Sequence, residues 1–359
     1  MLIVDAHEDI AWNMLAFGRD YSRSVSQTRA REAEAGGLCE AGEALLGWPE
    51  WIKGEVGIVF ATLYASPASS PLCGVPAMGY RTNEEAHQLH QAQLQAYHQL
   101  VEIHSDKFYL ITNQAELAAG LKQWHELPAE RRVGLVLLME GADAIRQPAE
   151  VAAWHAAGLR IVGPAWSRTR YAGGTGNPGP LTEAGRSLLR HMAELGMILD
   201  LSHMTDAGIT EALDSYPGPI IASHSNARAL LPSNNPERHL SDEMVRRLAE
   251  RQGVIGLVLF NEFLKDGVKM GQPRSVVTLE AVVAQVDHYC QLVGHSRHLG
   301  LGSDFDGGFG RADAPLGLDS IADLGRIGEA LTRRGYPPAD IAAIMGGNWL
   351  GLLSRVLPA

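Results

Sequence analysis

Residues that can bind a metal ion or move a proton stand at the ends of five short apolar runs of this sequence. The side chains concerned are His7, Asp9, Glu140, His203, His224 and Asp304. His7 and Asp9 are two positions apart, so in an extended strand their side chains point to one face and can chelate one ion. Any one of these residues alone is more often structural. Together, at five separate run ends, they predict a metal site.

Eight such runs follow one another, each with a polar or glycine-rich turn and a helical pattern behind it. They begin at Leu2, Val56, Val133, Leu159, Met197, Pro219, Val254 and His298. Short runs rich in Val, Ile and Leu are typical of parallel strands buried on both faces. Their alternation with helices predicts one α/β domain over residues 1–359. The expected fold is a (β/α)8 TIM-type barrel with long loops at its C-terminal face, where the strand ends meet.

Local signals indicate three of the helices. Asn83 is expected to cap a long helix and Ser241 another, while Thr278 opens a third that ends near Val293. The polar helix after Asn83 contains histidines that are expected to face solvent, namely His87, His90 and His98.

Two long segments, from Gly18 to Lys53 and from Tyr171 to Pro180, do not belong to a minimal barrel. Both follow strands, so we expect them to form walls or lids of the active-site mouth. The DFDGG segment that begins at Asp304 lacks the alternation of an EF-hand loop, and calcium is therefore not expected there.

The chain is acidic, which limits the partners it can have. Its 359 residues include 41 Asp and Glu against 30 Lys and Arg, a net charge of −11 at pH 7. An acidic chain without a basic block is a poor partner for nucleic acid or an anionic membrane. No apolar run reaches the roughly 18 residues that a membrane-spanning helix needs.

The first residues and the cysteines favour a cytoplasmic location. Asp5, Glu8 and Asp9 stand where a signal peptide would be basic and then apolar. Three scattered cysteines, with no CxxC pair, are typical of thiols in a reducing compartment. They are Cys39, Cys73 and Cys290.

Six segments carry a resemblance to a known family. They are DAHED at Asp5, MEG at Met139, DLSH at Asp200, ASHSNARA at Ala222, GSDFDG at Gly302 and GGN at Gly346. In this order they resemble the membrane (renal) dipeptidase family, metallopeptidases with an amidohydrolase-like barrel. The resemblance implies a small dipeptide as substrate and favours a homodimer.

The resemblance also implies a role for each site residue. Two divalent ions, usually zinc, would be held by His7 and Asp9 on one side and by His203 and His224 on the other, with Glu140 as the bridge. Asp304 would be the catalytic acid and base, and Arg238 would bind the terminal carboxylate of the substrate. The ligand types alone also suit manganese or cobalt.

The chain departs from the family at two positions near the substrate. Trp166 stands where the family commonly has a histidine that contacts the scissile carbonyl, and Asp143 replaces a second histidine. An indole N–H is a neutral donor, and its ring fills space that a substrate side chain could use. Arg168, Arg170 or a metal ion could supply the lost oxyanion donor. The alternative for the two arginines is that they are solvated charges at the rim.

Three functions are compatible with these residues. The first is a dipeptidase with two metal ions that hydrolyses small dipeptides, including those with a C-terminal D-residue, by a hydroxide that bridges the ions. The second keeps the metal chemistry but acts on N-acyl amino acids, other amides or lactones. The third is a metal-binding protein without catalysis. Asp304 favours an enzyme, because a binding protein needs no proton carrier.

Overall fold

Eight parallel strands form the barrel that the sequence predicts. They are β1 (Ile3–Glu8), β2 (Val56–Tyr64), β3 (Val133–Glu140), β4 (Leu159–Gly163), β5 (Ile198–Asp200), β6 (Ile220–Ile221), β7 (Ile255–Leu257) and β8 (Leu299–Leu301). This computed structural model describes residues 1–37, 41–70, 72–234 and 236–359, so Cys39 lies outside the described residues. Every predicted run contains a strand, and the predicted fold class is confirmed.

The strands are paired in the order β6-β5-β4-β3-β2-β1-β8-β7. A parallel bridge between Ala222 and Ile255 joins the two ends of this order. There the Ala222 N–H donates to Val254 O at 3.0 Å, and the Gly256 N–H donates to Ala222 O at 2.8 Å. Because the ring closes and all strands are parallel, their carboxyl ends face the same side.

Helices surround the ring and shorter strands extend it. The helices are α1 (Ile10–Phe17), α2 (Val25–Glu34), α3 (Trp48–Lys53), α4 (Asn83–Ile103), α5 (Gln114–Glu126), α6 (Val151–Ala156), α7 (Glu183–Glu194), α8 (Asp206–Ser215), α9 (Asp242–Glu250), α10 (Leu279–Val293), α11 (Gly325–Arg334), α12 (Pro338–Ala342) and α13 (Asn348–Val356). The shorter strands are Ser66–Pro67 with Gly79–Tyr80, Ala172–Gly174 with Asn177–Leu181, and Phe108–Leu110 against β3. In the described ranges, no helix is both long and apolar enough to cross a bilayer.

The predicted helix starts are confirmed at two of three places. Ser241 caps α9 by accepting from the Met244 N–H, and α10 begins directly after Thr278. The cap of α4 is not Asn83 but Thr82, whose hydroxyl accepts from the Glu85 N–H. Thr82 has the extended backbone that a capping residue needs, whereas Asn83 is already helical.

The expectation that the histidines of α4 face solvent is wrong for His90. This side chain is buried, and its Nδ1 pairs with Ala86 O at 2.9 Å. Burial lowers the pKa of His90 to about 4. His90 lies on the helix face that contains Ala86 and Tyr97, both buried against the barrel, whereas His98 is exposed and His87 half-buried.

Alternate residues of the strands pack into two different hydrophobic clusters. Phe60 of β2 and Leu138 of β3 belong to a cluster that includes Trp349 of α13. Their neighbours Ala61 and Leu137 pack in the larger cluster that the surrounding helices complete. Since side chains alternate along a strand, Glu140 at the end of β3 shares the face of Leu138. The apolar packing of the barrel thus positions this carboxylate at the strand ends.

Gly256 of β7 lies too close to the backbone that follows β6 for a side chain to fit. A Cβ on this residue would lie 1.9 Å from Ser223 O and 3.1 Å from Gly302 Cα. We expect Gly256→Ala to lower the free energy of unfolding by about 1–3 kcal/mol, because backbone rather than a flexible side chain must move. Chemical denaturation measures this change.

Gly351→Ala provides the matched control. Gly351 is exposed within α13, and a Cβ there would meet nothing within 4 Å. Alanine should raise the stability of this helix by up to about 1 kcal/mol, since glycine is a poor helix former. Equal unfolding free energies for the two variants would contradict the close approach at Gly256.

Candidate active site

The residues predicted at the strand ends come together around the carboxylate of Glu140. Its Oε2 lies 3.7 Å from His7 Nε2, while its Oε1 lies 3.1 Å from His203 Nε2 and 3.4 Å from His224 Nε2. The Nε2 atoms of His203 and His224 are 3.0 Å apart. Each carboxylate oxygen of Glu140 therefore faces a different group of imidazoles.

The group on the His7 side contains two further carboxylates. Ligand atoms of His7, Asp9 and Asp304 lie within 4.8 Å of one another. His7 Nε2 is 3.9 Å from Asp304 Oδ1. All six predicted residues thus lie at one mouth of the barrel, as expected.

Hydroxyl groups fix the opposite nitrogens of the imidazole rings. Ser223 Oγ donates to Asp200 Oδ2 at 2.6 Å, so its oxygen can accept from Nδ1 of His224 at 2.8 Å and from Nδ1 of His7 at 3.3 Å. A proton on Nδ1 leaves the lone pair of each ring on Nε2, which faces Glu140. Both rings therefore present Nε2 as a ligand atom.

Asp5 and Ser303 form a similar contact between β1 and the end of β8. The Ser303 N–H donates to Asp5 Oδ1 at 2.6 Å, and the Ser303 hydroxyl donates to Asp5 Oδ2. The next residue, Asp304, has a φ of 61° in the left-handed region. A Cβ on Gly307 would lie 2.0 Å from Asp304 Oδ1, so glycine leaves the space that this carboxylate occupies. The loop backbone thus fixes Asp304 beside His7.

Buried carboxylates give the site a strong demand for positive charge. Burial opposes a charge on His7, but the charges of Glu140, Asp9 and Asp304 raise its pKa to about 10. Burial raises the pKa of Asp9 well above its ordinary value and that of Asp304 to about 7. Burial acts in the same direction on Glu140, yet His7 and His203 hold its pKa well below the usual range. Cations placed among these groups would compensate their charge.

The donor set fits a divalent metal ion. Three buried atoms at its centre have no hydrogen-bond partner among the described residues, namely His7 Nε2, Asp9 Oδ1 and Glu140 Oε1. Buried polar atoms are seldom left unpartnered, and imidazole nitrogens and carboxylate oxygens are ordinary zinc ligands. Burial lowers the pKa of His203 to about 4 and holds the pKa of His224 well below its ordinary value. Both shifts favour the neutral imidazole that a metal ligand must be.

A cavity of about 400 Å³ opens over this cluster and reaches Asp9, Glu140, His203 and Asp304. Its apolar lining consists of Leu72, Trp166, Phe260, Phe263, Met270 and Phe309. The Trp166 ring contacts Tyr64 edge-on at 5.2 Å between centroids and lies 6.1 Å from the His203 ring. Trp166 is therefore in the wall of the cavity, next to the cluster, where the sequence predicts it.

Arg238 is buried next to the cavity without lining it. Its Nη2 donates to His224 O at 3.0 Å, and its guanidinium stacks on the Phe263 ring at 5.0 Å. Its Nε and Nη1 have no hydrogen-bond partner among the described residues. A buried guanidinium with free donors is suited to an anion, and Phe263 is its neighbour in the cavity wall.

Asp143, Arg168 and Arg170 make contacts outside the cavity. The Asp143 carboxylate accepts from the Tyr80 hydroxyl at 2.8 Å and from the Arg170 N–H at 2.9 Å. The exposed guanidinium groups of Arg168 and Arg170 each donate to a backbone carbonyl. None of the three is among the cavity-lining residues. Both guanidinium groups are thus exposed and bonded to backbone outside the cavity lining, as solvated charges at the rim would be.

The two long segments predicted as walls differ in position. Tyr171 to Pro180 overlaps the hairpin Ala172–Leu181, and its Thr175, Gly176 and Asn177 line the cavity as expected. The segment from Gly18 to Lys53 is the second expected wall, but none of its described residues, 18–37 and 41–53, lines the cavity. This segment instead surrounds Asp306, a buried carboxylate that needs donors. The Tyr21 hydroxyl donates to Asp306 Oδ2 at 2.9 Å, and Arg19 Nη1 lies 3.0 Å from it.

Three residues that support the cluster were not predicted. Asp200 and Ser223 belong to the DLSH and ASHSNARA segments, so their place within those motifs was a usable signal. The third residue is Thr175, whose hydroxyl oxygen lies 2.9 Å from His203 Nδ1 and accepts or donates a hydrogen bond there. Its position in a glycine-rich turn gave no signal.

We expect Ser223→Ala to weaken zinc binding about 10- to 100-fold, because Nδ1 of two imidazole rings loses its hydroxyl partner. Competition with a coloured chelator measures the dissociation constant. Ser215→Ala is the control, since its hydroxyl donates to Glu211 O at the surface of α8. Equal zinc affinity of both variants would contradict the orienting role of Ser223.

Comparisons with known proteins agree with this geometry. A family model for membrane dipeptidases, peptidase family M19, matches residues 1–358. The dipeptidase aclJ of Aspergillus oryzae is 27% identical over 315 residues, which cover 86% of this chain and 69% of that protein. A Klebsiella pneumoniae protein described as uncharacterized, in the pqqA 5' region, is 32% identical over 249 residues, 67% of this chain and 87% of its own.

A solved structure of a metallopeptidase from Rhodobacter sphaeroides, with a bound phosphinate mimic of L-Ala-D-Ala, has a TM-score of 0.79 and 26% identity over 99% of both chains. A structure of a dipeptidase of family M19 also has a TM-score of 0.79, with 27% identity, over 100% of this chain and 99% of that one. Membership in such a family implies that the protein uses metal ions. The match over residues 1–358 shows that the chain belongs to the membrane dipeptidase family, peptidase family M19, and is a hydrolase that acts on peptide bonds.

Proposed function

We propose that the protein is a dipeptidase with two divalent metal ions, most often zinc, that cleaves small dipeptides, including those with a C-terminal D-residue. The observation that carries the proposal is the position of Glu140 between two groups of ligand atoms. His7 faces its Oε2, and both His203 and His224 face its Oε1. A carboxylate with one oxygen toward each group is suited to bridge two ions.

His7 and Asp9 would hold one ion, and His203 and His224 the other. Bound in this way, two divalent ions supply an activated water and a Lewis acid for the scissile carbonyl. Asp304 reaches the cavity beside His7 and has no side-chain hydrogen bond to another described residue that would keep it from the substrate. Its carboxylate is placed to take a proton from the attacking water and to pass it to the departing amine nitrogen.

Substrate recognition would combine one cationic group and an apolar wall. Arg238 offers Nε and Nη1 as donors, and a dipeptide carboxylate can accept from both. The cavity of about 400 Å³ suits a small molecule, and Phe260, Phe263 and Phe309 provide apolar surface for a side chain. The acceptance of a D-residue is supported by the likeness to the Rhodobacter sphaeroides enzyme that binds a mimic of L-Ala-D-Ala.

Trp166 changes how the scissile carbonyl is stabilised. Its indole N–H makes no hydrogen bond to another described residue, but it carries no charge. Since Arg168 and Arg170 lie outside the cavity lining, the ions themselves would carry most of the oxyanion charge. Loss of one oxyanion donor typically costs about 100- to 1000-fold in turnover, so we expect a slower enzyme than a relative with histidine there.

A metal count and a panel of L-L and L-D dipeptides with added zinc test the proposal. Two ions per chain and turnover of at least one dipeptide are expected. In Asp304→Asn, kcat should fall about 100- to 10,000-fold because the proton carrier is lost, while the ions remain bound. Asp287→Asn, which changes a surface partner of Arg334, is the control. Undiminished turnover in Asp304→Asn would refute the acid–base role, and a protein without bound metal would refute the two-ion site.

Arg238→Ala distinguishes a dipeptidase from an enzyme for substrates that lack a carboxylate. We expect KM for a free dipeptide to rise about 10- to 100-fold, since charge-assisted bonds contribute roughly 1.5–3 kcal/mol. KM for the same dipeptide with a C-terminal amide should barely change. Arg334→Ala, which removes an exposed partner of Asp287, controls for the loss of an arginine. An equal effect on both substrates would mean that Arg238 acts through its bond to His224 O instead.

A further inference from the structure

His203 differs from the other two imidazoles of the cluster in the group that orients it. Nδ1 of His7 and Nδ1 of His224 both face the Ser223 hydroxyl, which the barrel itself supplies. Nδ1 of His203 instead faces Thr175 Oγ1 at 2.9 Å. Thr175 lies at the turn of the hairpin Ala172–Leu181, outside the barrel.

The hydroxyl of Thr175 can accept the proton of His203 Nδ1 and so favour one tautomer of this ring. When it accepts from Nδ1–H, the lone pair lies on Nε2, which is 3.1 Å from Glu140 Oε1 and 3.0 Å from His224 Nε2. In the other tautomer, Nε2–H would occupy the space between these ligand atoms and prevent metal binding.

The same hairpin holds the backbone around His203. Gly174 forms an antiparallel bridge with Met204, and the Thr205 hydroxyl donates to Gly179 O at 2.8 Å. His203 itself has a φ of 65°, a left-handed conformation that a residue other than glycine keeps only when its surroundings impose it. The hairpin provides these surroundings.

The hairpin also touches the space for the substrate, since Thr175 and Gly176 line the cavity. One element therefore contacts the substrate and orients one ligand. His7 lies on β1 and Asp9 directly after it, and among the described residues neither makes a hydrogen bond to the hairpin.

We propose that Thr175 is a positioning residue for His203, and that the ion held by His203 and His224 depends on this hairpin whereas the ion held by His7 and Asp9 does not. The inference rests on the two-ion site of the proposed function. It makes the His203 side the exchangeable position of the pair, and it links a substrate-contacting wall to the occupancy of that position.

Zinc titration of metal-free protein against a chelator tests this with a readout other than activity. The wild type should bind two ions per chain. Thr175→Val removes the hydroxyl at nearly constant volume and should weaken one of the two ions about 10- to 100-fold while the other keeps its affinity. Thr175→Ser restores a hydroxyl and should restore most of that affinity.

Thr182→Val is the matched control, because its hydroxyl caps α7 at the other end of the hairpin and touches no histidine. It should leave both ions unchanged, and thermal unfolding of the metal-free variants checks that each is folded. Wild-type affinity for both ions in Thr175→Val, or equal weakening of both, would overturn the inference. Fewer than two ions on the wild type would instead overturn the two-ion site on which it rests.

Discussion

The buried carboxylate of Glu140 is the constraint on which the rest of the site depends. It is 4% exposed, and two further carboxylates, Asp9 and Asp304, lie in the same pocket. So much negative charge is unfavourable away from water unless cations or protons compensate it. Imidazoles on both sides of Glu140 turn their Nε2 atoms inward, which makes the pocket a place for metal ions rather than for a salt bridge to a side chain.

Contacts between neighbouring strand ends hold the residues around Glu140 in place. Asp200 binds the N–H and hydroxyl of Ser223 across β5 and β6, and Asp5 binds those of Ser303 across β1 and β8. In both pairs, an aspartate of one strand holds a serine that follows the neighbouring strand. The residue after that serine belongs to the cluster, His224 in one pair and Asp304 in the other. The ligand atoms are thereby held by rigid elements, which is what precise coordination requires.

The substrate side is built differently, from loops. The hairpin Ala172–Leu181, the Trp166 loop and the segment with Phe260 and Phe263 provide the cavity wall. Loops can change residue types without altering the barrel. This separation explains how the chain combines the metal-binding residues of its family with a tryptophan in place of a histidine. The predicted metal ligands and Asp304 stand at strand ends, while loop residues provide much of the cavity wall.

The sequence alone determined the eight strands, the barrel and the six residues of the cluster, Glu140 among them, because each depends on a local signal. A buried parallel strand is a short apolar run, and its carboxyl end is known once the run is known. Contacts between segments far apart in the chain have no such signal. Only the tertiary structure decided that Thr175 faces His203, that Arg238 packs against Phe263 of the cavity wall, and that His90 is buried. The position of the segment from Gly18 to Lys53 was also decided by the tertiary structure. Arg19 and Tyr21 of this segment contact the buried carboxylate of Asp306, and no local pattern in the sequence indicates that contact.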